Sequence, residues 1–262
     1  MSAAGEPASL PAGDSREAYE RDGYLVIDPE LPEEVLDAAV ADITTQFGEP
    51  RAIRRVRLAK FTGAKYVYRD WSRIQDAWLG SQNVRAIARA PRVLSLLRGL
   101  YGRKPRPFQT LNFRVGTEQA PHSDALHFNS EPTGYMCGVW VALEDIDADN
   151  GPLVYYPGSQ SLPEVTMQDV GVPAGDEHYP HYEAHIRSLI EGEGLKPRYG
   201  HLKKGQALLW AANLLHGGAP QRDKDRTRLS QVTHYFFEGC KYWTPKTSDE
   251  QHTEWRNPRW IR

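Results

Sequence analysis

Residues 134–160 read GYMCGVWVALEDIDADNGPLVYYPGSQ, two apolar runs separated by a polar turn. GYMCGVWVALEDI is a strand-like run, Asn150-Gly151 supplies a tight turn, LVYY is a second strand, and Pro157-Gly158 ends it in a bend. Four further short runs surround this pair: FQTLNFRV (108–115), ALHFN (125–129), QALLWAAN (206–213) and LSQVTHYFF (229–237). Six short strands punctuated by Gly, Pro and Asn predict a mainly β fold, a sandwich or jelly roll. Upstream, GYLVI (23–27) reads as a strand, and LPEEVLDAAVADITTQF (31–47) as a helix that starts at Pro32 and repeats its apolar residues at Val35, Leu36, Ala39 and Ile43. A second helical stretch, from about Ser81 to Tyr101, is broken by Pro91. These helices are expected to flank the β core. Residues 161–200 leave the strand pattern for a polar, His- and Tyr-rich insertion with one helix near HYEAHIRSLIEG, which predicts a lid or binding loop. Residues 1–17 are expected as a disordered lead-in, and 18–262 as a single domain.

The composition narrows the function. The chain has 262 residues, 40% hydrophobic and 25% charged, enough to bury one sizeable core. Lys and Arg number 32 against 34 Asp and Glu, and no basic run is present to track a phosphate backbone, so nucleic acid is not the expected partner. Two cysteines without CxxC spacing argue against a disulfide scaffold or structural zinc, which fits a reducing, cytoplasmic setting. No apolar run approaches a membrane span, and the N-terminus lacks the pattern of a secretory signal.

Three short motifs carry chemistry. In His122-Ser123-Asp124 an imidazole and a carboxylate stand two residues apart, where strand alternation sends both to one face. In NLLHGGAP a strand delivers His216 at the barrel rim, with glycines that keep the space beyond it open. One carboxylate and two histidines from separate strands make the facial triad that holds Fe(II) and leaves positions for a co-substrate and dioxygen. In Arg228-Leu229-Ser230 a guanidinium and a hydroxyl share a strand face and form a fork for a carboxylate, which suits the distal end of 2-oxoglutarate. Arg226 lies on the same alternation and is the alternative clamp.

Taken in order, His122-Ser-Asp124, GVWVALEDIDADNGPLVYYPGSQ (138–160), His216-Gly-Gly and Arg228-Leu-Ser230 closely resemble the phytanoyl-CoA dioxygenase family of Fe(II)/2-oxoglutarate oxygenases. The resemblance covers about Tyr19 to Tyr242. It implies a double-stranded β-helix with flanking helices, iron on His122, Asp124 and His216, and 2-oxoglutarate on Arg228 with Ser230 assisting. By the same resemblance Trp140 lies beside the co-substrate, while Asn112, Gln109 and Lys65 are candidate polar contacts to it. Related halogenases replace the carboxylate by a small residue, whereas Asp124 is present here, so C–H oxidation is expected rather than chlorination.

The substrate is expected to be a small molecule. His127, Asn129 and Ser130 follow Asp124 closely and are candidate substrate contacts, and His178, Tyr179, His181, Tyr182 and His185 crowd the insertion. No basic cluster marks a coenzyme A phosphate site. The spacing of H-S-D-A-L-H-F and N-S-E-P is most similar to the bacterial biosynthetic branch that tailors saccharide antibiotics, so a glycosylated natural product is the leading expectation. The alternatives are a hydroxylase of a non-sugar metabolite or amino acid derivative, and a non-catalytic cupin-like binding module.

Overall fold

In the computed structural model, residues 12–47, 54–56, 67–69 and 72–262 are described. Five helices lie among them: α1 (Ala12–Asp22), α2 (Glu33–Thr44), α3 (Gln82–Ala88), α4 (Pro91–Tyr101) and α5 (Tyr179–Gly192). The strands in the first half are β1 (Tyr24–Ile27), β2 (Arg54–Val56), β3 (Val67–Arg69), β4 (Arg73–Gln75), β5 (Pro105–Phe113), β6 (Asn129–Glu131) and β7 (Met136–Ala142). Those in the second half are β8 (Leu153–Tyr155), β9 (Arg198–Tyr199), β10 (Ala207–Ala211), β11 (His216–Gly218), β12 (Ser230–Phe237), β13 (Lys241–Trp243) and β14 (Trp255–Arg256).

The main sheet has eight strands in the order β1-β10-β7-β12-β5-β4-β3-β2, and every pair is antiparallel. A smaller sheet, β11-β8-β9, carries His216, and a third, β14-β13-β6, stands beside the turn that carries Asp124. The architecture is mainly β with flanking α, as the strand pattern predicts. β7 is buried at every residue because it lies at the centre of the sheet with both faces covered. Alternation divides its side chains: Cys137, Val139 and Val141 meet Leu36, Ala39 and Ile43 of α2 and the buried faces of α3 and α4. Trp140 and Ala142 point the other way, into the barrel, with Phe113, Leu208, Trp210 and Val232.

The helical layer follows its sequence signals. Ser81 caps α3, its Oγ accepting from Val84 N at 3.0 Å, and Pro91 opens α4 at its first turn, so the proline divides the stretch as expected. Gly102, at φ 66°, ends α4 in the left-handed conformation.

Two expectations are corrected. The expected disordered lead-in does not extend to residue 17, because α1 begins at Ala12; residues 1–11 lie outside the described residues. ALHFN is not a strand: Asp124–Leu126 is a 3-10 turn, and extended pairing starts only at Asn129. The turn prevails because His127 N and Phe128 N both donate to Asp124 O, at 2.9 and 2.8 Å. The insertion at 161–200 holds α5, the 3-10 turn Asp176–His178 and β9. Its helix is anchored by Tyr182, Ile186 and Ile190, which pack on Met167, Leu126 and Leu215.

Candidate active site

His122 and His216 are brought together by backbone pairing. Each donates its N–H to the other's carbonyl, at 2.9 and 3.0 Å, a closed antiparallel bridge that sets their rings 4.6 Å apart. Asp124 arrives from the neighbouring 3-10 turn, not from strand alternation, with Oδ1 3.9 Å from His122 Nε2 and Oδ2 3.8 Å from His216 Nε2. All three residues are buried, and they form a possible metal-ion cluster among the described residues. The Nδ1 of His122 lies 3.0 Å from Ala120 O, and the Nδ1 of His216 lies 2.9 Å from Leu214 O. A carbonyl can only accept, so each Nδ1 carries the proton and each Nε2 presents its lone pair to the shared space.

The electrostatics match a metal-ligand set. Burial first, and the neighbouring His216 second, push the His122 imidazole down to about 4, so it is neutral at physiological pH. Burial alone would raise the pKa of Asp124, but His216, His234 and His122 together hold it below the usual carboxylate range. A carboxylate and two imidazoles are a donor set that suits Fe(II). The space beyond the HGG glycines is not open as expected. A Cβ at Gly217 would stand 2.6 Å from Gln119 O, and one at Gly218 would stand 2.7 Å from Glu118 N, so the glycines admit the backbone that leads into His122.

Two residues missed in the sequence support Asp124. The Trp210 indole Nε1 donates to Oδ2 at 2.8 Å, and His234 Nε2 lies 3.5 Å from the same oxygen. Gln109 extends this chain, with Oε1 2.9 Å from His234 Nδ1. Alternation could have found both residues: His234 shares a face with Arg228 and Ser230, and Trp210 shares a face with Leu208.

Arg228 is 3% exposed, and no carboxylate lies within 4 Å of it among the described residues. Its Nη1 donates to Ser230 Oγ at 3.0 Å, and its guanidinium lies 5.2 Å from the Phe113 ring and 5.3 Å from the Trp140 ring. Burial lowers its pKa to about 10, which leaves it a cation at neutral pH. Arg228 Nε and Trp140 Nε1 are both buried donors without a partner. A buried cation with unmet donors beside it is a site for a carboxylate. Arg226 is committed elsewhere, both oxygens of Asp147 lying 2.9 Å from its Nη1.

The remaining expected contacts divide. Asn112 is corrected: it lies on the helix side of the sheet, where it pairs in register with Gln231 and donates to its Oε1 at 3.2 Å. Gln231 Nε2 in turn donates to Val84 O of α3, so this face looks away from the barrel. Asn129 and Ser130 are also corrected, since both are buried and spent on the chain itself. Asn129 Nδ2 donates to Glu164 Oε2, and Ser130 Oγ donates to Pro132 O and accepts from Tyr135 N. His127 stays beside the triad, its ring 5.9 Å from that of His122 and its Nε2 3.3 Å from Tyr179 Oη. Tyr182 Oη accepts from Ser123 N, so α5 holds the segment between His122 and Asp124. Lys65 lies outside the described residues.

The profile of the family described as phytanoyl-CoA dioxygenase (PhyH) matches residues 19–228. The chain belongs to this family. Among curated relatives, a mouse phytanoyl-CoA dioxygenase domain-containing protein 1 is 36% identical over 81 residues, covering 29% of this chain but only 28% of the relative's length. Among solved structures of family-like fold, the non-haem α-ketoglutarate-dependent epimerase SnoN from nogalamycin biosynthesis superposes with a TM-score of 0.66 at 22% identity, covering 96% of this chain and 98% of its own. EctD from S. alaskensis with bound Fe superposes with a TM-score of 0.64 at 20% identity, covering 93% and 82%. The barrel is accordingly the double-stranded β-helix implied by the family resemblance. SnoN is crystallised with Fe3+ and α-ketoglutarate, and EctD with 2-oxoglutarate, the same cofactor and co-substrate expected here.

Proposed function

We propose that this family member is an Fe(II)- and 2-oxoglutarate-dependent oxygenase that oxidises a C–H bond of a small-molecule natural product. The observation that carries the reading is Arg228, a buried cation without a carboxylate partner, two residues before the strand whose His234 supports Asp124. His122, Asp124 and His216 hold the iron, and Arg228 with Ser230 holds the distal carboxylate of 2-oxoglutarate. Bound iron supplies dioxygen activation coupled to decarboxylation of 2-oxoglutarate to succinate and CO2. The chain's own work is positional. Trp210 and His234 orient Asp124, the backbone carbonyls of Ala120 and Leu214 fix the two imidazoles, and His127 with Tyr179 closes one side of the triad.

For the substrate, the reading is a saccharide-containing molecule, oxidised by hydroxylation or by oxidative ring or orthoester formation. Its support is the H-S-D-A-L-H-F and N-S-E-P resemblance, together with the likeness in fold to enzymes of nogalamycin biosynthesis. A second reading, hydroxylation of an amino acid derivative, draws on a Bordetella bronchiseptica ectoine dioxygenase 24% identical over 237 residues.

The test is anaerobic titration of the Fe(II)-loaded protein with 2-oxoglutarate, following the visible metal-to-ligand charge-transfer band, in the wild type and in Arg228→Ala. The band is expected in the wild type, with at least about a tenfold higher half-saturation in the variant, since the variant loses a charge-assisted pair. Iron binding without a band at any concentration of 2-oxoglutarate overturns the oxygenase reading. Product mass then separates the chemistries: a gain of one oxygen marks hydroxylation, and a loss of two hydrogens marks ring closure.

A further inference from the structure

A series of oxidisable rings leads from the triad to the protein surface. Trp210 is its inner end: its Nε1 donates to Asp124 Oδ2 at 2.8 Å, and its ring lies 4.8 Å from that of His216. Across the sheet on one side Trp210 faces Gly138 of β7, which has no side chain, and on the other it faces Tyr24 of β1. Residues directly opposite in an antiparallel pair share a face and are side-chain neighbours. Tyr24 accordingly packs against the cluster inside the barrel that holds Trp210 and Tyr155. His216 reaches the same place through the smaller sheet, since its partner across β8 is Tyr155. The Tyr24 and Tyr155 rings are 4.6 Å apart, so the branch from Asp124 and the branch from His216 meet there. Tyr155 is 4% exposed, whereas Tyr24 lies half-buried on the edge strand, and its Oη accepts from Nη1 of the exposed Arg198 at 2.9 Å.

Indole and phenol are among the side chains most readily oxidised by one electron. An iron site that activates dioxygen with no substrate in place holds two oxidising equivalents and has no C–H bond to attack. We propose that Trp210, Tyr155 and Tyr24 carry those equivalents to the surface, a further activity in which an external one-electron reductant takes the place of the substrate. An electron from Trp210 passes to the iron site and is replaced from Tyr24, directly or by way of Tyr155. The Tyr24 phenol releases its proton to water beside Arg198, and the reductant with a proton from water restores it. Two such passages balance the reaction: 2-oxoglutarate, dioxygen, two electrons and two protons give succinate, CO2 and water. This activity rests on the oxygenase reading.

The experiment mixes the full chain, loaded anaerobically with Fe(II) and 2-oxoglutarate, with oxygenated buffer and no substrate, in the wild type, Tyr24→Phe and Tyr24→Trp. The reductant is ABTS, a bulky aromatic disulfonate whose radical cation is read by its colour. The wild type is expected to oxidise up to two ABTS per succinate. Without ABTS, samples frozen in the first turnover are expected to show a tyrosyl radical by electron paramagnetic resonance. Tyr24→Phe, the closer match in shape, loses most of the ABTS oxidation and keeps the anaerobic charge-transfer band. Tyr24→Trp, the poorer match in shape but an oxidisable ring, keeps both. With the band present, three results overturn the proposal: a wild type that forms neither the radical nor oxidised ABTS, undiminished ABTS oxidation in Tyr24→Phe, or a loss in Tyr24→Trp equal to that in Tyr24→Phe. Absence of the band in the wild type instead overturns the oxygenase reading, and this activity with it.

Discussion

At position 138 a Cβ would stand 2.3 Å from the Trp210 indole, so the glycine in the middle of β7 is the space into which that ring fits. The indole then reaches Asp124 Oδ2 at 2.8 Å and leaves the carboxylate its other oxygen for a metal. Gly138→Ala is expected to cost about 1–3 kcal/mol of stability, because the ring has no room to move inside a packed core. Urea unfolding reads the loss, and an unchanged midpoint would refute this account of the glycine. Trp210→Phe separates packing from polarity. It keeps an aromatic ring and removes the donor, so Co(II) affinity is expected to fall about 10- to 100-fold, as for other partners of metal ligands. Unaltered Co(II) affinity in a folded variant would show that Asp124 is oriented without the indole.

The loop before α3 ties the helical layer to the sheet. Ser81 Oγ accepts from Val84 N at 3.0 Å and donates to Asp42 Oδ2 at 2.5 Å, joining α3 to α2. Ser81→Ala is expected to cost about 1 kcal/mol, read as a lower unfolding midpoint. Asp76 precedes that loop, buried, accepting from Thr110 N at 3.1 Å and from Trp78 Nε1 at 3.0 Å. Burial outweighs these bonds and raises its pKa. A carboxyl group raised in the folded state stabilises fully below its unfolded value, and that contribution fades as pH climbs through the folded value. Asp76→Asn keeps an acceptor and removes the titration. Relative to the wild type it is therefore expected to gain stability between pH 4 and pH 7, and a constant difference between the two proteins across that range would contradict the shift. The strand runs, the Pro91 break and the jelly-roll class were legible because they follow from period and punctuation. The turn at Asp124 was not, since ALHFN has strand composition and only hydrogen bonds to the Asp124 carbonyl decide against it. The face of Asn112 was equally hidden. It depends on β5 pairing with β12 in the register that sets Asn112 opposite Gln231, which no local pattern announces. The three motif residues were legible by type and spacing; His234 required the alternation of Arg228 and Ser230 to be followed four residues further.

Across the whole molecule, ligands that bind only the folded state add to its stability. Fe(II) with 2-oxoglutarate under anaerobic conditions, each at about 100 times its dissociation constant, is expected to raise stability by roughly 2.7 kcal/mol per independent ligand. Differential scanning fluorimetry reads this as a higher melting temperature that a chelator reverses, and Arg228→Ala should retain the metal's share and lose most of the other. A melting temperature indifferent to both ligands would contradict a site built from these residues. None of the described helices is long and apolar enough to cross a membrane. The three sheets also divide the labour. Ser230 opens β12 in the main sheet and His216 opens β11, whereas Trp255 and Arg256 belong to β14, which pairs with β13. For protein engineering, a different hairpin grafted onto Thr244–Arg256 would therefore leave both of those strands alone, but it must keep the Pro245–Thr247 turn, which packs against the Asp124–Leu126 turn and so helps set where Asp124 stands.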